Sequence, residues 1–244
     1  MENKFSSDYQ KLILEMQKLA ASDKSVFLPN VEPQKKANFI FICMEPSIGH
    51  WARSNSEFEA KKKVDAGFRN FTSSIEDFIL HFCVQKYLCQ ANHTYHFTDI
   101  SKGAMTTDCA NIARASRYKK WHDLLLSEIA LVGTPDVKIF SVGGLVAHHL
   151  ENANFPYTFN RIIHYSSQAG KARLEGIHGQ EKYFDKFNGS VTLAHILDAA
   201  KEVFDSMPTK SNFRESTLNH LAKSKLTDSR QKLIYIYKRA FESV

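Results

Sequence analysis

Phe39-Ile40-Phe41-Ile42-Cys43-Met44-Glu45-Pro46-Ser47 is the stretch whose reading decides the fold. A run of Phe, Ile and Cys without polar alternation is the pattern of a strand buried on both faces. Such strands belong to parallel sheets covered by helices. The run delivers one carboxylate, followed by a proline, to the point where it stops. Ligands of open α/β sheets bind beyond the carboxyl ends of the strands. Glu45 is therefore a candidate for acid, base or electrostatic work by a partly desolvated carboxylate.

Three further apolar runs end in polar side chains. His96-Phe97-Thr98-Asp99-Ile100 leads into Ser101-Lys102-Gly103, and Val137-Lys138-Ile139-Phe140-Ser141-Val142 leads into Gly143-Gly144. Arg161-Ile162-Ile163-His164-Tyr165-Ser166 leads into Ser167-Gln168-Ala169-Gly170. Between the runs lie helical patterns, Ile75 to Leu88 and Trp121 to Val132, the latter with Leu124, Leu125, Ile129 and Val132 on one face. Alternating strands and helices imply right-handed crossovers and a doubly wound sheet. That architecture gathers the loops after Met44, Asp99, Gly143 and His164 along one rim; strand order is not set by periodicity.

A chain of 244 residues with 43% hydrophobic content can bury a substantial core without staples. The polar start Met1-Glu2-Asn3-Lys4 leads into an amphipathic helix over Asp8 to Ala21 and reads as no signal peptide. No apolar run has the length to span a bilayer. A soluble, cytoplasmic monomer without membrane partners is expected. Cys43, Cys83, Cys89 and Cys109 lack C-x-x-C spacing and read as free buried thiols of a reducing compartment. His148-His149 has no ligand-type neighbours at helical spacing and reads as surface histidine, so no metal is expected.

Positive charge collects at the C-terminus. From Thr209 to Val244 there are eight Lys and Arg against three Asp and Glu, an excess of five out of +6 for the whole chain. Two helices fit, Asn212 to Lys223 and Asp228 to Glu242, the second striped by Leu233, Ile236, Tyr237, Ala240 and Phe241. The stripe docks on the main body, leaving Lys223, Lys225, Arg230, Lys232, Lys238 and Arg239 to solvent or phosphate. A sequence pI near 9.0 tilts the partner list toward a polyanion.

Met44-Glu45-Pro46-Ser47, Thr98-Asp99-Ile100-Ser101-Lys102, Val142-Gly143-Gly144 and His164-Tyr165-Ser166-Ser167 stand in order on successive strand ends. Together they resemble the motif set of the uracil-DNA glycosylase-like superfamily, over Phe39 to Ala172 and the helix that follows. The resemblance implies a three-layer α/β/α fold with a four-stranded parallel sheet. Residues 1–208 would form that domain, with 209–244 as a basic helical extension packed on it. The activity implied is that of a monofunctional DNA glycosylase acting on DNA without a cofactor or metal. Such an enzyme hydrolyses the N-glycosidic bond of a flipped base and leaves an abasic site.

Cleaving that bond puts positive charge on the sugar and negative charge on the departing base. By the resemblance, Glu45 lies beneath the sugar, stabilises the cation and orients water, while His164 donates a hydrogen bond to the base anion. The two are expected to face each other across a hollow sized for one everted nucleoside. Met44 and Phe58 line the base pocket, with Trp51 competing for the stacking role. Gln168 fills the vacated stack. Ser47 and Ser166 offer hydroxyls and amides to flanking phosphates, and Lys102, Lys171 and Arg173 contact the backbone.

Departures from the family pattern carry information. Asp99 stands where the family reads uracil with Asn. An ionised carboxylate only accepts hydrogen bonds, which matches an exocyclic amine such as cytosine N4 and repels uracil O4 unless the carboxyl is protonated. A cytosine-type base is thus expected. Since removal of ordinary cytosine is toxic, a modified cytosine foreign to the cell's own DNA, as in some phage genomes, is favoured, with antiviral defence as the role. Asp99 capping its turn or pairing with Lys102 is the plainer alternative. Cys43, Ser47, Ile48 and Tyr165 also depart from the pattern and alter the pocket mouth. The rival readings are a uracil-DNA glycosylase of base excision repair and an inactive DNA-binding module of the same fold. Neither a G-x-S-x-G elbow nor a G-x-x-x-x-G-K loop is present to support other α/β enzymes.

Overall fold

In the computed structural model the chain is described over residues 4–46, 57–105, 107–166, 169–208 and 210–244, without the side chains of residues 57–59, 107, 108 and 113. The elements run α1 (Lys4–Ser22), β1 (Val26–Phe27), β2 (Ala37–Cys43), α2 (Glu57–Asp65) and α3 (Ile75–Cys83), the last continued by a π turn, Val84–Leu88. There follow β3 (Tyr95–Asp99), β4 (Gly103–Ala104), α4 (Thr107–Val132), β5 (Gly133–Val142), α5 (Gly144–Asn152) and β6 (Phe159–Ile162). The chain closes with α6 (Gly170–Ile177), α7 (Glu181–Phe187), α8 (Leu193–Ser206), α9 (Arg214–Ala222) and α10 (Asp228–Glu242). A four-stranded parallel sheet of order β3-β2-β5-β6 is flanked by helices, the three-layer α/β/α class that the alternation of runs points to. Among the described residues no helix is long and apolar enough to cross a membrane.

Contacts divide the chain into two units, Met1–Asn70 with His93–Arg161, and Phe71–Asn92 with Ile162–Val244. The division does not fall at Pro208: α8 before it and α9 and α10 after it share a unit.

In the first unit the β2 run is central. Phe39, Ile40, Phe41, Ile42 and Cys43 are all buried, as a strand covered on both faces must be. β2 pairs in parallel with β3, Phe41 opposite Phe97 and Cys43 opposite Asp99, and with β5, Phe41 opposite Phe140. On one face the Phe41 ring stacks on Phe140 with centroids 4.7 Å apart. On the other, Ile40 and Ile42 join Tyr118, Leu125 and Ile129 of α4 and Val146 and Leu150 of α5. Each such apolar side chain contributes about 1.5–3 kcal/mol through burial. At the β5–α5 turn Gly143 takes φ 94°, a left-handed conformation that favours glycine.

The second unit is helical. α3 opens with a capping box in which the Ser74 hydroxyl accepts from the Asp77 amide and Asp77 accepts from the Ser74 amide. α3 packs on α8 and α10, with Phe78 against Phe204 at 5.7 Å, and α6 and α7 dock on α10.

Several expectations need correction. α4 begins at Thr107, not Trp121, so Arg114 and Tyr118 are helical. The last strand ends at Ile162, four residues early, because the Ile163 carbonyl accepts from Tyr237 Oη instead of a neighbouring strand. Among the thiols, Cys109 is exposed and only Cys43 and Cys83 are fully buried. His149 is half-buried against Tyr118, and its pKa is lowered by burial and then by His122 and His148. The basic residues from Lys223 to Arg239 are also less free than expected. Arg230 pairs with Glu76 at 2.8 Å, Lys232 with Asp228 at 2.7 Å and Lys238 with Glu242 at 2.5 Å, leaving Lys223, Lys225 and Arg239 exposed.

Candidate functional site

In the first unit, the ends of β2 and β3 carry the acidic groups. The Ile100 amide donates to the Cys43 carbonyl at 2.9 Å and the Ser101 amide to that of Met44 at 3.3 Å, so the pairing continues past the strands. Met44 itself is half-buried against the core. Glu45 follows, and its side chain is only 7% exposed. Arg114 holds it with a fork, Nη2 to Oε1 at 2.7 Å and Nε to Oε1 at 3.0 Å. Tyr118 Oη donates to Oε2. Arg114 and Tyr118 are one helical turn apart and so share a face of α4. The hydrogen bond to Glu45 raises the Arg114 pKa, while burial, then Glu45, raises that of Tyr118. Glu45 is therefore a dehydrated carboxylate with a matched cation and a neutral phenol donor.

Asp99 is the last residue of β3 and is 3% exposed. Its Oδ2 accepts from Asn70 Nδ2 at 2.9 Å. Burial pushes its pKa up to about 7; Lys102 and Asn70 oppose the rise, and Glu128 and Glu45 add to it. The carboxyl thus exchanges its proton near neutrality. As an acid it donates and as an anion it only accepts.

The folded pKa lies above the ordinary 3.8, so the folded state binds the proton more tightly than the unfolded one. The stability this contributes is fully present below pH 3.8 and is lost as pH rises through about 7. Asp99→Asn keeps an acceptor for Asn70 and removes the buried charge. It should raise the thermal midpoint at pH 8 and leave it nearly unchanged at pH 4, as read by circular dichroism.

Lys102, expected at the DNA backbone, is 1% exposed. It turns inward because its ammonium meets Glu128 Oε2 at 2.9 Å and donates to Thr98 Oγ1 at 2.5 Å. Thr98 Oγ1 donates to the same Glu128 oxygen at 2.6 Å, and His96 Nε2 lies 3.0 Å from the other. All four residues are buried. Burial alone would raise the Glu128 pKa, but Lys102 first and then His96 and Thr98 pull it down to about 2. At Gly103 a Cβ would collide with Ser25 Oγ and stand 2.9 Å from its Cβ, so a side chain there would force Ser25 to shift.

In the second unit, His164 follows β6 by two residues. Its Nδ1 accepts the Ser166 amide hydrogen at 3.0 Å, so a neutral ring carries its proton on Nε2. Burial, then the Arg173 cation, lowers its pKa, which favours that neutral form. Tyr165, in place of the proline the motif calls for, stacks on the imidazole with centroids 4.7 Å apart and planes at 14°. The Ser166 amide, expected to meet a phosphate, is thereby committed to His164. Arg173, also expected at the DNA backbone, is 3% exposed and donates to the Tyr165 and Ser166 carbonyls. Lys171 is exposed, 3.7 Å from Glu175.

Ser47, Trp51 and Gln168 lie outside the described residues, as does the side chain of Phe58, whose backbone is in α2. Reading the sequence missed Arg114, Tyr118, Asn70 and Glu128. For the first two a signal existed, an arginine and a tyrosine four apart, had the helix been extended toward Thr107. No protein-family model, curated protein or solved structure matches the chain.

Proposed function

We propose that this protein is a DNA glycosylase that hydrolyses the N-glycosidic bond of an everted, cytosine-type nucleotide and leaves an abasic site. The observation that carries the reading is the tautomer of His164. With Nδ1 occupied by the Ser166 amide, Nε2–H is a neutral donor, the group needed at the oxygen of a base departing as an anion. Glu45, just past β2, supplies the negative charge that stabilises a cationic sugar. Asp99, one strand over, supplies the base-reading group. The same-strand-end placement of Glu45 and Asp99 supports this assignment, since open α/β sheets bind ligands there.

Release of ordinary cytosine would damage the cell's own genome, so the substrate is a modified cytosine foreign to it and the role is defence against DNA that carries it. A second reading, a DNA-binding module without chemistry, is favoured by one fact: the Glu45 charge is already matched by Arg114 and hydrogen-bonded by Tyr118.

The test is release of free base, followed by mass spectrometry, from DNA bearing cytosine, uracil or modified cytosines. Modified cytosine should be released fastest at pH 8. As pH falls through about 7, Asp99 gains a proton and can donate to uracil O4, so the share of uracil released should rise. Retention of DNA binding with release of no base would support the binding module.

A further inference from the structure

Helix α10 lies outside the motif set that points to a glycosylase, yet its side chains reach the segment that carries His164. Tyr237 Oη donates to the Ile163 carbonyl at 2.8 Å. Arg173 of α6 donates through Nη2 to the Tyr165 carbonyl at 2.6 Å and the Ser166 carbonyl at 2.7 Å, and through Nη1 to Ser229 Oγ of α10 at 2.9 Å. Three carbonyls that flank His164 are therefore held from the protein side. Loop carbonyls ordinarily turn to water. Through Nη1 and Nη2 the guanidinium meets three oxygens at this depth, while its Nε is buried without a hydrogen-bond partner among the described residues.

The consequence falls on the imidazole. The Ser166 amide that reaches Nδ1 belongs to the same peptide as the Tyr165 carbonyl, which Arg173 holds. The same cation disfavours a second positive charge on the ring. Around it stand Glu76 of α3, Arg230 of α10, which pairs with Glu76 through Nε at 2.9 Å, and the Tyr237 phenol.

We infer that Arg173, seated by Ser229 and assisted by Tyr237, is the positioning residue for His164, locking the ring in the orientation that presents Nε2–H. The C-terminal helix is then part of the catalytic apparatus, not an appended basic tail. This inference rests on the donor role given to His164 above.

The experiment is nitrogen NMR of the His164 ring and hydrogen exchange of the Ser166 amide in the full-length chain, for the parent, Arg173→Met, Arg173→Lys and Tyr237→Phe. In Arg173→Met the Ser166 amide should exchange roughly tenfold faster or more. The His164 ring should titrate closer to its ordinary 6.5 and mix its tautomers. Arg173→Lys should restore the titration but not the exchange protection, because it keeps the charge without the fork. Base release should fall roughly tenfold to a hundredfold in Arg173→Met with KM for DNA little changed. Unchanged Ser166 exchange and an unchanged tautomer in Arg173→Met would overturn the inference. Should that variant not fold, Tyr237→Phe carries the same test, and parental exchange at Ser166 in it would count equally against. Loss of the Ser166 tether in a protein whose parent releases no base would uphold the positioning and remove the glycosylase reading.

Discussion

Glu45→Ala is expected to abolish base release while leaving DNA binding intact or tighter. The carboxylate is the one anionic group the proposed reaction places near the cationic sugar, and removal of a preorganised electrostatic partner costs roughly a hundredfold to a thousandfold in rate. The structure adds a second consequence. Arg114 and Tyr118 lose their acceptor, and Arg114, with its side chain 22% exposed, becomes an uncompensated cation. An added unpaired cation strengthens attraction to phosphates and steepens its salt dependence. A true enzyme should thus lose turnover and gain affinity in one substitution, measured by base release and by fluorescence anisotropy over a salt series. Undiminished release would show that the proposed chemistry does not use this carboxylate. A parent that binds DNA and releases nothing would leave the binding module.

The largest effect on stability is expected at Glu128. Its carboxylate answers Lys102, His96 and Thr98 in a space with no access to water. A buried ion pair is weak evidence for net stability, but breaking one is costly because the survivor remains charged and unpaired. Glu128→Ala strands the Lys102 ammonium and should cost about 3–5 kcal/mol, read as a lower denaturant midpoint of the first unit. Glu128→Ala combined with Lys102→Met should recover most of the loss. The pH dependence has the opposite sign to that of Asp99. The folded pKa of Glu128, about 2, lies below the ordinary 4.5, so its contribution is present above pH 4.5 and is lost as pH falls through about 2. The parent should lose stability over that window and Glu128→Ala should not, by acid titration followed by fluorescence.

These two carboxyls, Glu128 on α4 and Asp99 at the end of β3, show how neighbouring buried sites acquire opposite proton affinities. Glu128 and Asp99 are both buried beside Lys102. Glu128 has the ammonium within 2.9 Å and two further donors, and stays charged. Asp99 has Asn70 as its hydrogen-bond partner and feels two neighbouring carboxylates, so burial prevails. Lys102 therefore acts on both carboxyls from inside the protein, pulling each pKa down by its charge.

Legibility followed range along the chain. The limits of α10 could be read from Asp228 to Glu242 because its apolar stripe marks them locally. The buried runs of β2, β3 and β5 declared themselves by composition. β5 was legible only from Val137, since Pro135 and Asp136 disguise a start that the structure places at Gly133, beyond an irregularity in the pairing with β2. The start of α4 carries no local stripe, since Cys109, Asn111 and Ile112 are exposed, and the partner of Arg114 lies 69 residues away.

Alternation of apolar runs and helical stripes, a property of neighbouring residues, was enough by itself to determine a parallel α/β chain with polar groups at its strand ends. The order β3-β2-β5-β6 was settled only by tertiary structure, because each buried strand can satisfy its edges with any partner of suitable register. Packing likewise decided that Arg114 answers Glu45 from 69 residues away, that Lys102 and Arg173 turn inward, and that Asp99 titrates near neutrality. A side chain's charge state and partner depend on what other segments exclude water from it, and no local pattern carries that information.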